Sequence, residues 1–340
     1  MSNSDSELQI ASAALEKSCC GSTCRRFRLW QYVVAILVGL PILFYVCGIV
    51  WQKWLGPRVD EELTRAVEIS EVAGGSTVGV NTLPGILAPL SQEAINASPH
   101  ALDLVLKIAD DALEYFRKNV VEYRCVMLSE ILMDNGEMRT AQYMYCKIRQ
   151  DQVKDGKPIP FAVYGKFLKP QELLGQEVIW IKGKNGGKLV AHPAGLFNLK
   201  RFWLEPTSSL AMSGNRYPIT DIGLENLLSL MAQRGNRDRK HGPCEVRLDP
   251  NLKFGERDCA LLEINHPKKE GPYDFHLAKI YIDIERQILL GYEGFGWPTS
   301  SGGELPLIER FYYSDVELNV GLTDQDFNPD NPEYNYPWGK

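Results

Sequence analysis

Five histidines, His100, His192, His241, His266 and His276, are the residues best able to hold a metal or move a proton near neutral pH. Their spacing points to neither role. No H-E-x-x-H is present, and no two histidines are near enough in sequence to form a local metal motif. His266 and His276 can fall on neighbouring strands, where an ordinary polar face is the expected reading and a shared metal the sharper one. Asp324, Asp326 and Asn328 occupy the first ligand positions of a calcium loop. Pro329 then stands in place of the required glycine, and Asn335 in place of the glutamate. A capped turn packed on the domain is expected there instead. The nucleophile elbow, the P-loop and the dinucleotide-binding glycine pattern are all missing. The sequence therefore predicts no catalytic residue, no metal, no cofactor and a protein that is not an enzyme.

Cysteine is the other reactive residue type, with eight copies. Cys125 and Cys146 flank the Asn135-Gly136 pair symmetrically. Asn-Gly is the strongest short signal for a two-residue type I′ hairpin turn, because both residues tolerate positive φ. Such a turn sets Met133 opposite Met138 and, stepping outward, Cys125 opposite Cys146 in a pair whose side chains approach closely. A disulfide between them is expected, with two buried thiols as the alternative. Cys244 and Cys259 are candidates for a second disulfide on the ground of compartment alone. Cys19, Cys20 and Cys24 lie in a short N-terminal tail and do not have zinc-ligand spacing.

The compartment follows from residues 29–51, LWQYVVAILVGLPILFYVCGIVW, in which Gln31 is the only strongly polar residue. At about 1.5 Å per residue the run is long enough for a ~30 Å hydrocarbon core. Trp30, Tyr32, Trp51 and Trp54 mark its ends. No small-x-small cleavage site follows, so a retained signal anchor is expected rather than a cleaved peptide. Arg25, Arg26 and Arg28 crowd its first end and favour an inside N-terminus. The expected organisation is a cytoplasmic tail over 1–28, a transmembrane anchor over 29–51, a juxtamembrane helix and flexible tether over 52–98, and an exported domain over 99–340. The expected location is the inner membrane, single pass, with the domain in the periplasm. With 340 residues and a net charge of −6, the chain has room for one good-sized core and no sign of nucleic-acid binding. The basic run at 234–242, RGNRDRKHG, is expected to be a solvated loop.

Within the domain, Ser98-Pro99 announces a helix carrying Leu102, Val105, Leu106, Ala109, Leu113 and Phe116 at helical spacing. A second helix is expected over 220–234, capped by Thr220 or Asp221. The rest reads as strands: a hairpin over 121–149, then 160–170, a second hairpin turning near Asn185-Gly186, and strands near 244–248, 258–266, 275–284, 287–295 and 306–319. The order predicts an α+β fold: a long, strongly curved antiparallel sheet, half-barrel-like, with helices packed on one face. Met127, Met133, Met138 and Met144 project from one face of the first hairpin, together with Ile131. Methionine is flexible and polarizable, so this face is a candidate apolar groove, with Phe116 on the expected covering helix. Permanent packing of the methionines against the helix at 99–119 is the plainer alternative.

Several stretches in order, PFAVYGKFLKP, GQEVIWIKGKNGGKLVAH, NRYPITDIG and GLTDQDFNPDNPEYNY, resemble one bacterial exported family, domain of unknown function 1571, over about residues 101–336. The family has no activity to carry over, so no residue here inherits a role. More distantly, a helix on a long curved sheet resembles the periplasmic lipoprotein-carrier fold, which implies an acyl-chain groove under helical lids. The resulting expectation is a membrane-tethered, non-enzymatic domain that holds a lipid or lipidated protein in its groove. An envelope scaffold or sensor acting through a protein partner is the alternative. The membrane, a lipid or lipoprotein ligand and an envelope protein are the expected partners.

Overall fold

Alternation of apolar and charged residues sets the register of the first hairpin. Strands β2 (Glu122–Ile131) and β3 (Gln142–Arg149) pair antiparallel with Cys125 opposite Cys146, Met127 opposite Met144 and Glu122 opposite Arg149. A one-residue slip would exchange the two faces, so burial of one of them holds this register. The tip differs from expectation. The Met133 carbonyl accepts from Gly136 N at 2.8 Å, Met133 N donates to the Glu137 carbonyl at 2.9 Å, and only Gly136 has positive φ. The turn is thus a three-residue loop with glycine in the left-handed position, not type I′. Asn135 accepts from Glu137 N through its side chain. Leu132 rather than Met133 faces Met138, and one extra residue on the returning limb restores the pairing by Ser129–Gln142. Asn185-Gly186, by contrast, has φ of 54° and 63° and makes the expected tight turn.

The computed structural model describes residues 73–76, 83–195, 198–300 and 302–337. The tail, the apolar span 29–51 and the juxtamembrane stretch up to residue 72 lie outside them, and Ala73 begins a strand. Among the described residues no helix is long and apolar enough to cross a membrane.

Twelve strands form one antiparallel sheet. Its order is β1 (Ala73–Ser76), β10 (Glu245–Phe254), β11 (Arg257–Asn265), β12 (Leu277–Asp283), β13 (Ile288–Phe295), β14 (Leu307–Leu318), then β2 and β3, then β6 (Ala162–Lys169), β7 (Glu177–Ile181), β8 (Leu189–His192) and β9 (Phe202–Leu204). A separate small hairpin, β4 (Gln152–Lys154) and β5 (Lys157–Ile159), lies between β3 and β6 in sequence. Register shifts interrupt the pairings β10–β11, β12–β13, β13–β14, β14–β2 and β3–β6. Each adds local twist, and the sheet curves.

Helices are few: α1 (Gln92–Ala97), α2 (Leu102–Asn119) and α3 (Leu224–Asp238). Part of the expected tether is folded. Leu83, Leu87, Leu90 and Ile95 are buried, and Ser98 closes α1 instead of capping α2. Apolar spacing rather than glycine content decides that stretch. Helix α2 starts at Leu102, whose N–H is accepted by His100 Nδ1. The first free N–H of α3, that of Leu224, donates at 2.7 Å to the hydroxyl of Tyr123 on β2, a cap that reaches the helix from the sheet. Gly223 precedes it at φ +124°, with the Tyr123 hydroxyl only 3.1 Å from where a Cβ would stand. The basic run is no solvated loop: it continues α3, and Arg234, Arg237 and Arg239 pair with Asp274, Asp238 and Asp103.

Both expected disulfides need correction. Cys125 and Cys146 face each other but are buried free thiols, and Cys146 Sγ donates to the Met144 carbonyl at 3.5 Å. Burial pushes the Cys125 thiol well above its ordinary value, which starves thiol exchange of the thiolate it requires. Cys244 precedes β10, whereas Cys259 faces Leu252 far along it. At about 3.3 Å per residue those positions are roughly 20 Å or more apart, beyond any S–S bond.

The other face of β6, β7 and β8 carries a small second core: Ala162, Tyr164, Ile179 and Val190, covered by Phe327 and Tyr336 of the C-terminal segment. Tyr334 stacks on Tyr164 with ring centroids 4.1 Å apart. Lys147–Asp326 at 2.7 Å, Arg149–Asp324 at 2.6 Å and Arg201–Asp330 at 2.6 Å hold this strap in place. The calcium-like stretch is therefore a 3-10 turn, Asp324–Phe327, closed by a capping box between Thr323 and Asp326.

Candidate functional site

Strand alternation leaves one face of β2, β3, β6, β7, β8, β9 and β14 turned toward a cavity of about 830 Å³. Its floor is built from Met127, Ser129 and Ile131 of β2, Gln142 and Met144 of β3, Phe167 of β6 and Val178 of β7. Leu189 and Ala191 of β8, Phe202 and Leu204 of β9, and Phe311 and Tyr313 of β14 extend it. Its cover is the connection from Pro206 to Ile222, followed by Asn226, Leu227, Leu230 and Gln233 of α3. Leu210 of the cover is 62 % exposed, which places part of the wall at the protein surface. Gly165 on β6 makes room beside the floor: a Cβ there would stand 2.5 Å from the Met144 sulfur.

Of the six candidate groove residues, Met127, Ile131 and Met144 line the cavity. Met133 and Met138 do not, because the three-residue turn places them at the hairpin tip, where Met138 is 40 % exposed. Phe116 is absent from the wall as well. It is buried against Tyr123, edge-on at 6.1 Å, in the core beneath α2. No residue of the helix expected to form the lid, 99–119, reaches the cavity. The cover belongs to α3 and the connection before it.

A buried polar cluster fastens that cover to the sheet. Glu309 of β14, 2 % exposed, accepts from Arg234 Nη1 at 2.6 Å and from the Tyr217 hydroxyl at 2.6 Å. Arg234 Nη2 donates to the same hydroxyl at 3.0 Å, and Nη1 to that of Tyr292 at 3.2 Å. Burial and then the Glu309 charge push the Tyr217 hydroxyl up to about 12, so it stays a donor at any physiological pH. Burial works against the Arg234 charge, and the Glu309 carboxylate outweighs it. Arg216 reaches Glu309 only at 3.8 Å. None of these groups could be assigned to the site from sequence, since the cluster joins a helix, a loop and two strands far apart along the chain.

The rest of the wall also carries polar side chains, among them Gln142, Gln176, Asn226 and Gln233. His192, at the end of β8, bonds the Pro193 carbonyl through Nδ1 at 2.8 Å, while its buried Nε2, 3.3 Å from Glu177, makes no hydrogen bond. His266 lies 3.4 Å from Asp238 and stacks on Tyr273, away from this cavity. Among the described residues no group of three or more His, Cys, Asp or Glu could hold a metal. The arrangement can enclose apolar matter and orient it by a few donors at one end.

No curated protein sequence matches this chain. The family described as Protein of unknown function (DUF1571) matches residues 120–336. Among solved structures, the chain is similar to a DUF1329 family protein from Desulfovibrio piger ATCC 29098, at 12% identity and a TM-score of 0.32, over 66% of this chain and 97% of that one. It is also similar to a candidate outer membrane lipoprotein-sorting protein domain from Vibrio parahaemolyticus, at 13% identity and a TM-score of 0.31, over 65% of this chain and 97% of that one. A LolA superfamily protein from Nitrosomonas europaea follows at 11% identity and a TM-score of 0.27, over 65% and 97% of the two chains. Likenesses this faint say nothing about ligand or activity.

Proposed function

This chain belongs to the DUF1571 family, whose description assigns no activity, and we propose from its geometry that it is a membrane-anchored, periplasm-facing domain that holds a lipid or a lipidated protein without chemistry. The observation that carries this reading is the cavity. At about 830 Å³ it lies within the range of roughly 300–1,000 Å³ typical of small-molecule sites. Its floor is mostly apolar and includes Met127 and Met144, flexible side chains that tolerate varied apolar guests. Burying a flexible acyl chain there gains about 25 cal/mol for each Å² of apolar surface withdrawn from water. The anchor in the membrane is the apolar run 29–51, which would keep such a site beside the bilayer.

Filling the cavity tests the reading. Ala211 lies on the wall within the connecting segment, where its backbone bonds do not depend on its side chain. Ala211→Trp should lower affinity for a fluorescent acyl probe by about tenfold or more, while the unfolding midpoint shifts by no more than a few degrees. Wild-type protein that binds no acyl probe, and yields no lipid on extraction and mass spectrometry, would overturn it. The location is tested separately: protease added to intact spheroplasts should digest the chain beyond the anchor and spare residues 1–28.

A second reading, an envelope scaffold or sensor ectodomain, draws on one observation. Strand β9 ends the sheet, and Trp203 on it is 45 % exposed. Cross-linking in cells through position 203 would capture a protein partner under this reading and none under the first.

A further inference from the structure

One end of the cavity is cationic. Arg139 enters the wall from the returning limb of the first hairpin. Its Nη1 donates to the Gly214 carbonyl at 2.6 Å and to Asn215 Oδ1 at 2.9 Å. Its Nη2 donates to Ser129 Oγ at 2.6 Å and to the Ser129 carbonyl at 3.4 Å. Every one of these acceptors is neutral. Among the described residues no carboxylate lies within ion-pair distance of Arg139, whereas Arg124, Arg149, Arg201, Arg257 and Arg310 each have one. Its Nε is buried and has no acceptor at all. Burial without a counter-charge pulls this guanidinium down to about 10, the opposite direction from the paired arginines Arg257 and Arg310.

Arg216, two residues beyond Gly214, shares the same end of the wall. Its carboxylate neighbour, Glu309 at 3.8 Å, is already engaged by Arg234 and Tyr217. The only carboxylate on the wall among the described residues is Asp221, which is exposed and accepts from Thr220 Oγ1 at 2.8 Å. The cavity thus pairs an apolar floor with two under-compensated guanidinium groups at one end. An anion seated there gains charge-assisted hydrogen bonds, screened least at the half-buried Arg139 and more at Arg216, whose side chain is 44 % exposed.

We propose that the cavity's ligand is an amphiphile with an anionic head group, a carboxylate or a phosphate, which Arg139 and Arg216 recognise while its acyl chain lies on Met127, Met144 and Leu189. This rests on the reading of the cavity as a lipid site and adds the chemistry of the head group. Arg139 also ties the hairpin to the cover through Gly214 and Asn215, so head-group binding would be felt by the cover.

The test compares two probes with the same acyl chain and fluorophore, 11-(dansylamino)undecanoic acid and its methyl ester, in which a methyl group removes the head-group charge. Each is titrated into the full chain held in amphipol, with an empty-amphipol blank subtracted. The acid should bind about tenfold more tightly than the ester. Arg139→Gln retains a donor toward Ser129 and should remove most of that preference, leaving the ester's affinity within about twofold. Arg216→Gln, which breaks no short contact, should act in the same direction. Equal binding of acid and ester by wild type would overturn the proposal and leave the lipid-site reading standing. Equal weakening of both probes by Arg139→Gln and none by Arg216→Gln would assign Arg139 to latching alone and overturn it too. Binding of neither probe would overturn both readings. Palmitate and lysophosphatidylglycerol, added as competitors, separate a carboxylate from a phosphate source. Displacement by either supports the proposal, and displacement by monoacylglycerol alone overturns it.

Discussion

Truncation of the chain after Gly321 will unfold the β6–β8 side of the sheet. The strap removed by this cut supplies Phe327 and Tyr336, which cover Ala162, Tyr164, Ile179 and Val190 on the face opposite the cavity. Phe327 is 1 % exposed, and its loss alone, as Phe327→Ala, should cost about 3–5 kcal/mol. The cut also leaves Arg149, 5 % exposed, without Asp324, and leaves Glu177, 1 % exposed, without the Asn335 N–H. A domain has about 5–15 kcal/mol of stability in total, so the sum of these losses is comparable with the whole. Urea unfolding followed by tryptophan fluorescence, with hydrogen exchange on β6–β8, measures it. A truncated chain with the wild-type midpoint and unchanged protection would refute the role given to the strap. Acid should loosen the same segment. Burial raises the Asp326 carboxyl, but its bonds to Lys147 and to Thr323 N outweigh this and hold it below its ordinary 3.8. A depressed carboxyl stabilises the fold above that ordinary value and loses its contribution as pH falls through the lower folded one. Asp326→Asn should therefore differ from wild type at pH 7 and converge with it only once the pH has fallen below the carboxyl's depressed folded value.

Glu309→Ala is the second large effect. The carboxylate is 2 % exposed and serves Arg234, itself mostly buried, and Tyr217. Removing one member of a buried pair leaves the other charge uncompensated, which costs about 3–5 kcal/mol. Here the loss also frees the cavity's cover, because Tyr217 and Arg234 lie on the connecting segment and on α3. Thermal unfolding should show a single, lower transition. Probe binding should weaken even at temperatures where the variant remains folded. Glu309→Gln keeps an acceptor for Tyr217 and should lose less. A variant with unchanged Tm would show that the cluster carries no net stability.

The body of the first hairpin was legible because Tyr123, Cys125 and Met127 share one face, and a one-residue slip would turn the exposed Arg124 inward in their place. Strand positions on β10 to β14 followed from the same period. The turn was not legible: Asn-Gly admits two loop types, and only the bonds from Gly136 N and Met133 N distinguish them. That single residue of difference removed Met133 and Met138 from the site. Assignment of the cover failed for another reason. Two amphipathic helices were visible, but which one lies over β2 and β3 depends on strand order, and order is a long-range property. The tail was expected as a capped turn packed on the domain, but that Phe327 and Tyr336 cover the outer face of β6, β7 and β8 was not legible, because which strands they meet is a long-range property. Arg139 gave no signal in sequence either, since the lack of a counter-charge is a fact of space.

The junction between β14 and β2 has a consequence for biosynthesis. Strand β2 appears early in the chain, yet one of its two neighbours is the last strand to be made. Until residues 307–318 leave the ribosome, β2 has an open edge in the middle of what will become the sheet. Pairings this remote are slow to form and expose nascent polypeptide to association with other molecules. The β2–β9 half must therefore wait, incompletely closed, through synthesis of everything after it. A chaperone that shields unpaired strands would act on this chain before the β2–β14 pairing closes.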